Sequence, residues 1–396
     1  MSTRRRWKWL RRIALAVAVL VVAGLVTVFT VGPGVVESMR NQVAPGDLAP
    51  VTPEAKAVHE RLTVVDMHAD TLMWDRDILD RSSRGHVDLP RLRDGNVALQ
   101  IFSSVSKSPK GQNDDGNSAD SDNITLLAML QLQPPRTWTS LLQRSLYHAQ
   151  KLEKAAKDSD GTLRTIRTKR DLRRLVADRR AGRDVTGAMF SVEGLQNLEG
   201  KADNLQKLFD SGARMAGFAH FFDNEVAGSM HGEEHGGLTP LGRDVLTRME
   251  KLGMVVDIAH ASPRAVSDIL AVATKPVVAS HGGVQATCGV NRNLTDEQIR
   301  GVARTGGVVG IGYWRAAVCS YTPEAVVDAI EHVIEVGGLR TAALGSDFDG
   351  AVVTGWDTSD VAVITQELLE RGHSETDVAA IMGGNTIRVL GQVLPD

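Results

Sequence analysis

TVVDMHAD, residues 63–70, is a short β-branched run that ends on two polar residues, His68 and Asp70. An apolar run of this length without polar alternation reads as a strand covered on both faces. Seven runs of the same kind follow: VALQIFSSV (97–105), GAMFSVEG (187–194), ARMAGFAH (213–220), GMVVDIAH (253–260), KPVVASH (275–281), GGVVGIGYW (306–314) and TAALGSDFDG (341–350). Helical patterns such as Leu241–Leu252, Ser262–Ala271 and Pro323–Val336 lie between them. Strand–helix alternation repeated eight times predicts a parallel α/β architecture. Eight is also the number of strands that closes a TIM-type (β/α)8 barrel. A doubly wound open sheet is the alternative, but no GxGxxG follows the first run, which weakens a dinucleotide reading.

Upstream the chain changes character. Residues 1–12 carry Arg4, Arg5, Arg6, Lys8, Arg11 and Arg12 and no acid, and residues 13–36 (IALAVAVLVVAGLVTVFTVGPGVV) carry no charge. A helix over 13–31 would rise about 28 Å, close to the hydrocarbon thickness of a bilayer. Trp7 and Trp9 stand where interfacial aromatics gather. The cations predict a cytoplasmic N-terminus, a single transmembrane anchor and an extracytoplasmic (periplasmic or extracellular) remainder. A cleaved signal peptide is the rival reading. Its apolar region is usually roughly 7–15 residues long, whereas this run is longer and Thr30-Val31-Gly32-Pro33 is a poor cleavage site. Residues 37–54, with Pro45, Pro50 and Pro53, read as a linker, and 55–396 as the barrel domain. An insertion at about 106–140, opening SKSPKGQNDDGNSADSDN, reads either as a surface loop or as a lid over the mouth.

Composition narrows the function classes. The 396 residues carry a net charge of −3, which gives no electrostatic case for nucleic acid. Without the six N-terminal cations, 39 basic residues face 48 acidic ones, so the two sides of the anchor differ in sign. Two cysteines exclude a disulfide-rich scaffold and a four-cysteine zinc site.

Six of the eight runs end in a ligand or acid–base residue: His68 and Asp70, Glu193, His220, His260, His281 and Asp347. One histidine at a strand end is usually structural. Barrel closure would bring four histidines and three carboxylates into one mouth, where buried charge has to be paired or metal-bound. Imidazole and carboxylate donors suit zinc. His68 and Asp70 share a strand face and can reach one ion. His260 and His281 end successive strands and can hold a second, with the two oxygens of Glu193 able to bridge. Asp347-Phe348-Asp349-Gly350 lacks the spacing of a calcium loop, and Asp347 is better placed as a proton carrier. Arg292, in NRNLTD, is either a helix-capping residue or a bidentate clamp for a carboxylate. No GxSxG competes as a nucleophile.

The motifs VVDMHAD, SVEG, GFAH, DIAH, ASH, NRN and GSDFDG occur in the order seen in the membrane dipeptidase (renal dipeptidase) family of zinc peptidases, which this chain resembles from about Arg61 to near its end. The HxD opening distinguishes that family from amidohydrolases that open with HxH. The resemblance implies two Zn²⁺ per chain, one on His68 and Asp70, one on His260 and His281, with Glu193 bridging. It implies that His220 stabilises an oxyanion, that Arg292 holds the free carboxylate of a dipeptide, and that Asp347 carries the proton. The implied reaction is attack of a metal-bridging hydroxide on the peptide carbonyl. The resemblance also implies a Cys288–Cys319 disulfide and a homodimer. Family members often carry a substrate-facing tyrosine shortly before the second cysteine. Here the position three before Cys319 is Ala316, and the nearest preceding tyrosine is Tyr313. An amidase, lactonase or β-lactam hydrolase on the same barrel, or a non-catalytic membrane-tethered binding protein, are the alternatives.

Overall fold

A computed structural model describes residues 3–44, 46 and 48–396. Among them, eight parallel strands close a ring: β1 (Val64–Ala69), β2 (Val97–Phe102), β3 (Thr186–Val192), β4 (Ala213–Gly217), β5 (Val255–Asp257), β6 (Val277–Ala279), β7 (Val308–Ile311) and β8 (Ala342–Leu344). β2 pairs directly with β3, and Leu344 of β8 pairs with Asp66 of β1, which completes the barrel. Seven of the expected runs contain their strands, and β3 starts one residue before its run of 187–194. All their residues are buried, because helices cover the outside and side chains fill the inside. Val65, Met67, Leu99, Ile101, Met189, Met215, Val255, Val278 and Val308 form one interior cluster, joined by Val389, Leu390 and Val393 of the C-terminal helix.

Four outer helices start alike. Thr52-Pro53, Thr239-Pro240, Ser262-Pro263 and Thr322-Pro323 each put a hydroxyl at the N-cap, where it accepts the backbone N–H three residues on, and a proline in the first turn. Proline costs nothing there, because that N–H has no helical partner anyway. Pro53 therefore opens a helix (Pro53–His59) instead of extending a linker.

The expected linker is shorter and more ordered than its prolines suggest. The N-terminal helix spans Thr3–Arg40, about 57 Å at 1.5 Å per residue, with Pro33 inside it. Residues 37–40 are thus helical, and Gln42–Val43 pairs in parallel with Val353–Thr354 beside the barrel mouth. Pro45 lies outside the described residues. The helix is long and apolar enough to cross a membrane, and its apolar window is wholly unburied. Its last turns are not free. Glu37 is buried and accepts from Arg76 Nε and Arg84 Nε, each at 2.6 Å. Asn41 Oδ1 accepts from Ala351 N at 2.9 Å.

A short extra strand, Leu163–Thr165, pairs with Thr186–Ala188 of β3, below the residues of β3 that pair with β4.

Candidate active site

The chain places its polar residues at or just beyond the C-terminal ends of the strands, the face where barrel loops build sites. The register of β1 shifts between Asp66 and Ala69 against β2. Met67 packs inside the barrel, while neighbouring His68 reaches the mouth, which strict alternation would forbid. Asp70 and Glu193 directly follow β1 and β3. His220, His260 and Asp347 lie three residues beyond their strands and His281 two. His260 (φ 63°) and Asp347 (φ 61°) are left-handed, as are Cys319, Asp349 and Ala351 nearby. Such backbone costs of order 1–3 kcal/mol per residue and persists where surrounding structure enforces it.

Glu193 is the hub. Its Oε1 lies 2.9 Å from His260 Nε2 and 3.2 Å from His281 Nε2. Its Oε2 lies 3.7 Å from His68 Nε2 and 3.6 Å from His220 Nε2. His68 Nε2 is also 3.5 Å from Asp70 Oδ1 and 3.8 Å from Asp347 Oδ1. The Nε2 atoms of His260 and His281 are 3.0 Å apart. All seven expected residues are therefore brought together, and all are buried.

The cluster is electrostatically incomplete. Burial, then repulsion by Asp70, pushes Glu193 well above the usual carboxylate range. Burial, against the pull of His68 and with repulsion by Asp70, pushes Asp347 up to about 8. Burial opposes the charge on His68, but Glu193, Asp70 and Asp347 override it and raise its pKa to about 10. Burial holds His260 and His281 well below the usual histidine range. His68 Nε2, Asp70 Oδ1 and Glu193 Oε2 are buried without a hydrogen-bond partner among the described residues. Three carboxylates and bare imidazole nitrogens aimed at one another fit a cationic group with N and O ligands.

Buried hydrogen bonds fix the ring orientation of His281. Ser280 Oγ gives its hydrogen to Asp257 Oδ2 at 2.5 Å, so at 2.9 Å it can only accept from His281 Nδ1. That leaves His281 Nε2 bare towards Glu193. Asp66 plays the matching part across the barrel. It accepts from Ser346 N at 2.9 Å and from Ser346 Oγ, tying β8 to β1 beneath His68. His220 Nδ1 is 3.2 Å from the Lys107 carbonyl, which can only accept. Its neutral ring therefore also presents a bare Nε2, and burial, against that hydrogen bond, lowers its pKa to about 4.

Asp70, Glu193, His220, His260 and Asp347 line a cavity of about 550 Å³. Arg292 is buried in its wall, donating to the His281 carbonyl at 3.0 Å with its guanidinium 5.6 Å from the Trp314 ring centre. Cys288 and Cys319 are disulfide-bonded with Cα atoms 5.4 Å apart, and Asn293 donates to both Cys288 O and Ala317 O, pinning the loop of Arg292. Ala316 faces the cavity, whereas Tyr313 is buried against Phe348 and Trp356 outside it. Tyr313 does not stand in for a substrate-facing tyrosine. The insertion is an ordered wall. Ser108, Gly111, Gln112 and Asp114 line the cavity, and Asn117 N and Nδ2 donate to His231 O at 2.8 and 2.9 Å. His231, absent from the expected site, donates in return to Asp114 O at 2.9 Å and stacks on Phe221.

Comparison with known proteins agrees with this geometry. The family pattern of membrane dipeptidases, peptidase family M19, matches residues 52–394. The chain is 30% identical over 356 residues to the dipeptidase tcpJ of Claviceps purpurea, covering 87% of this chain and 77% of that one. It is 29% identical over 358 residues to an uncharacterized dipeptidase of Schizosaccharomyces pombe, covering 85% and 83%. Among solved structures, the probable dipeptidase PvdM from Pseudomonas aeruginosa shares the fold with a TM-score of 0.72 at 20% identity, over 86% of this chain and 98% of that one. A metallopeptidase from Rhodobacter sphaeroides, solved with a phosphinate mimic of the dipeptide L-Ala-D-Ala, gives 0.68 at 21% identity, over 84% and 99%. With a family match that runs through every strand of the barrel, the chain belongs to the membrane dipeptidase family, M19, and is a metallodipeptidase, a hydrolase.

Proposed function

We propose that the chain is a dinuclear zinc dipeptidase anchored by its N-terminal helix, with the barrel outside the cytoplasm. His68 and Asp70 would hold one ion and His260 and His281 the other, with Glu193 offering an oxygen to each side. The observation that carries this reading is the position of Glu193, one oxygen towards His260 and His281 and the other towards His68. Bound there, two zinc ions would supply a water acidic enough to act near neutral pH and a Lewis acid for the peptide carbonyl.

The chain's own residues do the rest. Arg292 pairs with the free carboxylate of the dipeptide, which sets how far the substrate enters. Asp347, 3.8 Å from His68 and on the cavity wall, takes a proton from the attacking water and returns it to the leaving amine. His220 stabilises the oxyanion. To donate from Nε2 its hydrogen has to leave Nδ1, which breaks one 3.2 Å contact to Lys107. Ala316 in place of a larger side chain leaves room beside Arg292.

Metal analysis of the purified full chain is expected to give two zinc per chain. Amino-acid release from a dipeptide panel with L or D second residues, L-Ala-D-Ala included, is expected to stop with chelator and return with zinc. Full activity of the metal-free protein overturns the mechanism. Full activity with one ion per chain removes the bridging role of Glu193.

A further inference from the structure

Beyond residue 43, the large apolar side chains exposed among the described residues are Leu126, Met129, Leu132 and Val272. Three of these four fall within one short stretch, on the insertion helix Asn123–Leu130 and the turn after it. That helix, NITLLAML, carries no charge. Its inner side is occupied, since Ile124 and Leu127 pack with Met73, Trp74 and Val105. Its outer side is bare: Leu126 is 56% exposed, Met129 38% and Leu132 66%.

The location says what covers that side. The insertion helix packs beside the apolar N-terminal helix. Val36 joins the cluster of Ile124 and Leu127, and Leu130 Cδ1 lies 3.3 Å from where a Cβ on Gly32 would stand. Gly32 directly follows the stretch that ends at Val31, so with 13–31 as the spanning stretch Leu130 would sit where the long helix leaves hydrocarbon. Exposed Met39 and Val43 continue the apolar surface past that point. Val36 and Arg40 also line the catalytic cavity. They stand about 8 and 14 Å along the helix from Val31, beside a headgroup layer about 5–8 Å thick.

We propose that residues 123–132 form an interfacial membrane segment that lies in the outer headgroup layer beside the N-terminal helix and holds the catalytic mouth against the bilayer surface. The proposal rests on the reading of that helix as a retained anchor. A dipeptide then reaches Glu193 along the membrane surface, through the headgroup layer, and not from the open solvent at the far end of the barrel.

The test uses the full chain in phospholipid vesicles, with an environment-sensitive fluorophore on Leu126→Cys, Met129→Cys or Leu132→Cys. The native cysteines are bonded to each other and do not take the label. Arg180→Cys, on the exposed end of the helix that precedes β3 at the opposite end of the barrel, is the negative control. Lipids spin-labelled near the headgroup are expected to cut emission at 126, 129 and 132 about twofold or more, the response of side chains 5–10 Å into the interface, and to leave 180 unchanged. Undiminished emission at all three overturns the proposal, and so does a blue shift without quenching, which marks protein cover such as a second copy of the chain. Val19→Cys with lipids spin-labelled at the chain centre reports the anchor separately. Quenching at 19 without quenching at 126–132 keeps the anchor and removes the interfacial segment. No quenching at 19 removes the anchor, and the proposal with it.

Discussion

Two clusters of buried charge share the mouth of the barrel and are built in opposite ways. In the first, His68, Asp70, Glu193, His260, His281 and Asp347 turn their polar atoms on one another, and several find no hydrogen-bond partner among the described residues. In the second, Glu37 at the end of the long helix accepts from Arg76 and Arg84, Arg76 also pairs with Asp349, and Asp349 accepts from Thr71 Oγ1 at 2.7 Å and His86 N at 2.6 Å. The clusters meet at one turn, where Asp347 belongs to the first and Asp349 to the second. Buried charge needs a counter-charge. The second cluster has it covalently, as arginine. The first has one arginine, Arg292, against three carboxylates, and a bound metal would supply the balance.

Removing a carboxylate from each cluster should therefore have opposite signatures. Glu193→Gln is expected to cost at least about a hundredfold in kcat/KM, beyond the 10–100-fold typical of groups that only support a ligand, and to lower the bound metal. In the metal-free protein the same change should leave stability about equal, since burial beside Asp70 already disfavours the charge on Glu193 and the carboxamide carries none. Activity assays, metal analysis and chemical denaturation read these separately. Glu37→Ala is expected to destabilise the barrel by about 1–3 kcal/mol, because the buried Arg76 keeps Asp349 but loses the acceptor of its Nε, and the hold on Arg84 weakens. It should leave kcat nearly unchanged, since Glu37 does not line the cavity. A hundredfold loss of kcat with normal stability would erase the distinction between the clusters.

Smaller effects sharpen it. Reducing Cys288–Cys319, whose partners are 31 residues apart, is expected to cost about 3–4 kcal/mol in the chain-entropy model. It should also raise KM for dipeptides with a free carboxylate, through the loop of Arg292, while amidated dipeptides lose less. Equal losses for both would detach the disulfide from substrate binding. The last test lies away from both clusters. Burial lowers the pKa of His59, and burial with the charges of Lys151 and Arg144 lowers that of His148 well below the ordinary 6.5. Below pH 6.5 the unfolded chain binds protons that the folded chain refuses, so their contribution is complete above 6.5 and is lost as pH falls towards the folded values. Each group is expected to steepen the fall by up to about 1.4 kcal/mol per pH unit. Denaturation at stepped pH measures it, and His59→Gln should flatten the slope.

The eight strands and the residues that converge at their ends were legible because both signals are local. An apolar run announces a buried strand, and a histidine or carboxylate at its end needs only the direction of the barrel to be placed. Other features depend on distant partners. Nothing near Asp66 or Asp257 marks them as struts, since their hydrogens come from Ser346 and Ser280 on neighbouring strands. Leu163–Thr165 is too short and too polar to read as a strand, and β3 alone makes it one. Pro45, Pro50 and Pro53 suggested a loose linker, but Glu37 meets Arg76 and Arg84 only in the folded chain. The polar insertion gave no hint that Asn117 and His231 would staple it over the cavity.

The Glu37 junction also sets where the molecule can be cut. The barrel begins at Thr52 by its helix cap, and that residue is the natural place to start a shortened chain. A chain beginning there would lack Glu37, the Asn41 contact to Ala351 and the Gln42–Val43 strand, and would leave Arg76 half-answered beside Asp349. A start just after Val31 keeps all three and sheds the basic first twelve residues and the apolar stretch. The last turns of the N-terminal helix are, in that sense, the first turns of the enzyme.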